Sequence, residues 1–144
     1  MPPVLRAGRE FETSRRTVTE ADIVTFAGLS NDWNPMHVDE EFARETQFGR
    51  RIAHGQAVAS IVTGLRSELD DWPVVSYLGT SRRFSSPVGA GDSIHARYAI
   101  KEVRASESRP GHSVVTLSIA VVDQRGDEVM SGEDVMLLGT DADA

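Results

Sequence analysis

The sequence predicts an α+β fold, an antiparallel β-sheet wrapped around one long helix. Three observations carry this expectation. Val58, Ile61, Val62, Leu65 and Leu69 recur at i, i+3, i+4, i+7 and i+11, one continuous apolar stripe at helical spacing. From Val74 onward the period changes to two, with Ile94, Ala96, Tyr98 and Ile100 in one run and Val115, Leu117, Ile119 and Val121 in another. Short turn-forming stretches separate the runs, and short connections favour antiparallel neighbours. A chain of 144 residues fits one domain, residues 1–144, with room for a real core.

The elements follow in order. Leu5 to Val18 reads as an edge strand. Thr19-Glu20-Ala21-Asp22 has the form of a capping box, with Ile23, Phe26 and Ala27 following at helical spacing and Gly28 as terminator. Asp39 to Arg44 starts a short helix with acids at its dipole-favoured end. The spacing predicts the main helix from about Gly55 to Leu69. Ala57, Ala59, Ser60 and Gly64 occupy the rest of its circumference, and side chains this small let other backbone approach closely, so the helix is expected to be enclosed. About four antiparallel strands come last. Their turns are Pro87 to Asp92, Arg109-Pro110-Gly111 and Gln124 to Asp127.

Composition excludes several function classes. The formal net charge of -7 argues against nucleic acid as main partner, because phosphate binding needs a basic face. Without cysteine there is no disulfide, thiolate metal site or cysteine nucleophile. No run reaches the ~18 apolar residues of a membrane span, and the first residues lack a signal-peptide pattern, so a cytoplasmic protein is expected.

The chemistry concentrates in Asn31-Asp32-Trp33-Asn34-Pro35-Met36-His37, followed after a gap by Ala53-His54-Gly55. The residue before a proline is biased away from helical angles, so Asn34-Pro35 marks an irregular turn. A regular helix would also place Asp32 and His37 roughly 140° apart in azimuth. A loop must therefore bring the carboxylate and the imidazole together. Alone, Asp32 reads first as a turn-capping aspartate. His54 reads as structural, bonding backbone at the helix start, and there is no HxxH or HExxH spacing for a metal.

These residues resemble the signature of the MaoC-like, (R)-specific enoyl-CoA hydratases. The resemblance extends through Tyr77-Leu78-Gly79, Phe84 and Pro87-Val88-Gly89-Ala90-Gly91-Asp92, nearly the whole chain. It implies the hot-dog fold, assembled as a homodimer or dimer of dimers. It implies a hydratase/dehydratase acting on an acyl-CoA or acyl-carrier-protein thioester, with no cofactor and no metal. Asp32 and His37 match the family's acid–base pair, and Gly55 the glycine whose amide binds the thioester oxygen. Asn34 matches the motif asparagine, a positioner of the loop. Thr63 falls where close relatives carry a serine near the site. Arg66, one helical turn later, stands where some relatives have an apolar residue beside the acyl pocket. Asn31 replaces a common glycine, and asparagine tolerates positive φ.

Other residues keep two readings each. Trp33 borders the pocket or covers the loop. Arg82 and Arg83, like Arg50 and Arg51, meet the phosphates of coenzyme A or form a solvated face. Arg66 contacts a polar acyl tail or lies at a surface or interface. Two competing functions stand beside the hydratase: a hot-dog thioesterase, and a non-catalytic acyl-thioester-binding subunit. The thioesterase would not need Asp32 and His37 together on one loop.

Overall fold

The computed structural model describes residues 3–140. Its four long strands are β3 (Val74–Phe84), β4 (Ser93–Ala105), β5 (Ser113–Val122) and β6 (Glu128–Leu138). They pair antiparallel in the order β4-β5-β6-β3. Two short N-terminal strands, β1 (Glu10–Glu12) and β2 (Arg16–Thr17), both pair with β4. The expected edge strand is thus broken in two. At the break the Thr13 hydroxyl accepts the Ala96 amide and the Ser14 amide leaves the ladder for the Arg66 carbonyl.

Period-two alternation sends one face of the sheet to the core. Ile94, Ala96, Tyr98 and Ile100 of β4, Val115, Leu117, Ile119 and Val121 of β5, and Met130, Met136 and Leu138 of β6 are all buried there. Helices α1 (Glu20–Ser30) and α4 (Gly55–Thr63) contribute Ile23, Val58 and Val62 to the same cluster. Val58 and Val62, 4% and 1% exposed, each gain about 1.5–3 kcal/mol from that burial. α4 packs on β4 and α1.

Three boundaries differ from the sequence expectation. α4 ends at Thr63, not near Leu69, because Gly64 takes the C-cap and Ser67 with Asp70 forms a new capping box on a 3-10 turn, Glu68–Asp71. Leu65 and Leu69 still touch the core, so the stripe continues although the helix does not. α1 does not stop at Gly28. It runs to Ser30, and Asn31 takes the left-handed cap at φ 60°, ψ 23°. The Thr19–Asp22 capping box is present in both directions, at 2.8 and 3.2 Å. Finally, Asn34 keeps the extended backbone expected before a proline, φ -54° and ψ 133°, but Pro35 is not part of an irregular turn. It begins a single helical turn, α2 (Pro35–Val38), since proline at the first helical position forfeits no hydrogen bond. The short α3 (Glu40–Arg44) follows with Asp39 as its cap.

β3 ends the sheet and pairs only with β6. Every residue of β3 except Arg82 is exposed, including Val74, Val75, Tyr77, Leu78 and Phe84. Opposite Arg82, Gly132 lets the two strands close up: a Cβ there would lie 1.9 Å from the Ser81 carbonyl oxygen.

Candidate active site

The loop after α1 is built by side chains bonding to nearby backbone. One oxygen of Asp32 accepts the Asn34 amide at 3.2 Å, and the Asn34 side chain accepts the Met36 amide at 3.1 Å and caps α2. Asp32 therefore does cap a turn, and its second carboxylate oxygen remains for other work. His37 sits in the one turn of α2, 8% exposed. Its Nδ1 lies 2.7 Å from the Ile52 carbonyl, which can only accept, so the proton is on Nδ1 and the Nε2 lone pair is free.

His54 closes the arrangement from the far side of α2 and α3. Its Nε2–H donates to the Asp32 carbonyl at 2.9 Å. Its ring stacks on His37 with centroids 3.8 Å apart and planes at 25°, and leans on Phe26 at 4.9 Å. A carboxylate oxygen of Asp32 and one ring nitrogen of each histidine lie within 4.8 Å of one another. Three such groups could suggest a metal, but the lone pairs would have to converge at about 2.0–2.1 Å. One nitrogen on each ring already meets a backbone carbonyl, which leaves His37 Nε2 and His54 Nδ1 as the ring nitrogens open to a further partner.

Gly55 is the first residue of α4, and the helix has no side-chain cap. Its amide therefore faces outward at the positive end of the helix dipole. A cavity of about 260 Å³ opens beside it, walled by Gly55, Val58, Phe84, Pro87 and Val129 among others. The Phe84 ring lies so close that a Cβ on Gly55 would meet it at 2.9 Å. A second cavity of about 210 Å³ reaches His37 from the side of Glu20, Glu40 and Arg51.

The remaining sequence-selected residues fall as follows. Trp33 is half exposed and lies over Gly28 of α1, not in the wall of the cavity beside Gly55. Thr63 ends α4, exposed, its hydroxyl donating to the Ala59 carbonyl. Arg66 is exposed too, but lies beyond the end of α4 and so not one helical turn from Thr63. Arg82 departs furthest from a phosphate contact. Its side chain is 11% exposed and clamps Asp134, which is fully buried and also accepts the Thr80 hydroxyl at 2.8 Å. Arg50 and Arg51 are likewise engaged, on Asp92 and on Glu20 and Glu40. Arg83 is exposed. Sequence reasoning left out Asp134, although an acid in register with Met130, Met136 and Leu138 was the available signal. Burial would raise the carboxyl of Asp92, yet the Gly89 amide, Gln124 and Arg50 together hold it below the ordinary range.

This loop, the uncapped helix start and the flanking sheet invite comparison with known proteins. Residues 4–122 match the model of the MaoC like domain. The chain belongs to the MaoC-like domain family. An (R)-specific enoyl-CoA hydratase of Aeromonas caviae is 35% identical over 134 residues, 93% of this MaoC-like chain and 96% of that protein. A 3-hydroxybutyryl-CoA dehydratase of Methylorubrum extorquens is 31% identical over 119 residues, 83% and 71% of the two chains. Among solved structures, a MaoC-like dehydratase from Rhodospirillum rubrum matches with a TM-score of 0.83 at 31% identity, covering 94% and 93% of the chains. A double hot-dog protein of Mycobacterium tuberculosis matches at 0.84 and 19% identity, over 97% of this chain and 44% of that one, a likeness of fold alone. The fold of this MaoC-like chain is thus the hot dog, its antiparallel sheet wrapped over α4. No helix among the described residues is long and apolar enough to cross a membrane.

Proposed function

We propose that this MaoC-like protein is a hydratase/dehydratase that adds water reversibly to a 2-enoyl thioester of coenzyme A, giving the (R)-3-hydroxyacyl thioester, without a metal. The observation that carries the reading is the meeting of Asp32 and His37 within 4.8 Å. One water bound by two hydrogen bonds of about 2.8 Å each fills such a gap at a bent angle near tetrahedral. Gripped there, the water has a carboxylate and the free His37 Nε2 as proton acceptors. Its hydroxyl goes to C3, and the proton taken from it is returned to C2 from the same face. The negative charge that develops on the thioester oxygen is met by the Gly55 amide at the α4 N-terminus. Relatives that carry hydratase and dehydratase names support this direction of chemistry.

We further propose a homodimer joined along β3. An eleven-residue edge strand with exposed Val74, Val75, Tyr77 and Leu78 is long and apolar, the kind of edge that pairs with another strand. A second copy would extend the sheet about a two-fold axis. Equilibrium sedimentation tests this: a Leu78→Lys variant should shift the population to monomer, and a monomeric wild type would refute it.

The activity is tested with crotonyl-CoA and a panel of longer, branched and carboxylated enoyl-CoAs. Loss of conjugated-enoyl absorbance reports hydration, and free thiol reports hydrolysis. Asp32→Asn and His37→Gln should each lower hydration by about 10²–10⁴-fold while leaving the fold intact. Thiol release without hydration would replace the proposal with a thioesterase. Binding with neither reaction would replace it with a carrier subunit.

A further inference from the structure

We infer that His54 is a positioning residue that locks the proton-transfer loop to the start of the helix bearing the oxyanion amide. The inference rests on the proposed roles of Asp32, His37 and Gly55. His54 touches all three elements. It precedes Gly55 in the chain, donates to the Asp32 carbonyl at 2.9 Å, and stacks on the His37 ring at 3.8 Å. Met36 and His37 are tied to Ile52, but Asp32 itself is exposed and otherwise bonds only to Ser30 and Asn34, so the bond from His54 is its own tie across 22 residues of sequence.

Two features at residue 54 are unfavourable for stability. The His54 side chain is 4% exposed, and its Nδ1 is buried with no hydrogen-bond partner. Donation from Nε2 leaves Nδ1 an acceptor, so the orphan is a lone pair without a donor. The second feature is the missing cap. Thr19, Asn34, Asp39 and Ser67 cap the other helical segments with their side chains, whereas His54 occupies the N-cap of α4 and makes no cap bond. A serine or aspartate there would bond the first-turn amides and crowd the Gly55 end. A phenylalanine would fill the same space beside Phe26 without an orphan nitrogen. Neither would both free the helix end and hold Asp32. Imidazole does both, and the same ring fixes the orientation of His37.

Two substitutions separate the two contacts. His54→Gln keeps a donor near the position of Nε2 and loses the stack. His54→Phe keeps the stack and loses the donor. For hydration of crotonyl-CoA, His54→Phe should lower kcat about tenfold or more with KM within twofold, because misplaced reacting groups cost rate more than binding. His54→Gln should recover part of that loss. Thermal stability of His54→Phe should equal or exceed the wild type, since an unpaired buried nitrogen is removed. A residue that served only the core would give the opposite pattern, activity tracking stability. A second measurement needs no turnover. Amide hydrogen exchange at residues 32–37 should quicken about tenfold in His54→Phe and stay near wild type in His54→Gln. Wild-type kcat in His54→Phe, or exchange unchanged in both variants, overturns the inference. If the wild type hydrates no enoyl-CoA while exchange responds as stated, the hydratase reading fails and the locking role of His54 stands.

Discussion

Adding one methyl group at Gly55 tests the crowded contact between the start of α4 and Phe84. In Gly55→Ala the new Cβ would lie 2.9, 3.0 and 3.1 Å from Cε1, Cδ1 and Cζ of Phe84. Ordinary carbon contacts are about 3.5–4.0 Å, so the ring must retreat by roughly 0.5–1 Å. It can do so cheaply, because Phe84 is 47% exposed on the edge strand. Gly55 is not in the left-handed region, and alanine gains up to about 1 kcal/mol of helix propensity over glycine, less at a helix start. Stability should therefore change by no more than about 1 kcal/mol, a few degrees in Tm. Activity should respond differently. The methyl and the displaced ring both enter the cavity of about 260 Å³ that adjoins the Gly55 amide. An oxyanion donor must lie 2.7–3.1 Å from the developing charge, and losing one costs about 10²–10³ in kcat. Crotonyl-CoA hydration and a thermal melt on the same preparation read the two effects separately. A kcat within twofold of wild type at unchanged Tm would mean that the thioester oxygen does not bind at Gly55.

Two further outcomes concern groups remote from the loop. Asp134→Ala strands the nearly buried Arg82 guanidinium and should cost about 3–5 kcal/mol by urea denaturation, whereas Arg82→Leu combined with Asp134→Ala should lose far less; equal losses would show that the pair is not coupled. The Asp92 carboxyl is held below its ordinary value by Gly89, Gln124 and Arg50 against the opposing effect of burial. Its contribution is thus complete above the unfolded value, near pH 4, and disappears as pH falls through the lower folded value. Asp92→Asn should be less stable than wild type at pH 7, with the gap closing below about pH 4 in urea midpoints; a gap that stays constant to pH 2.5 would contradict this.

What the chain itself determined is local. The Thr19–Asp22 box spans four residues, so its two hydrogen bonds were readable from residue types alone. The alternation in β4 and β5 set which side chains face the core, because the period of a strand is fixed by its pleat. The crowding of Asp32, Asn34 and His37 around one proline announced an irregular loop, and Asn34 is extended there, with one helical turn starting at the proline. Asn31, in place of a glycine, met the need for positive φ.

What the tertiary structure decided depends on pairings across long separations. Arg82 and Arg83 looked alike as a basic pair. Register with β6 turned Arg82 inward to Asp134, 52 residues away, and left Arg83 exposed. The same register put Phe84 against Gly55, and the return of the chain through Ile52 to Gly55 stacked His54 on His37. None of these follows from a period or a turn, because neither records which residues of two distant elements stand opposite each other. The loop carries Asp32 and His37 in its own sequence; the distance between them, and their place relative to the Gly55 amide, exist only once α4 and the sheet have closed around it.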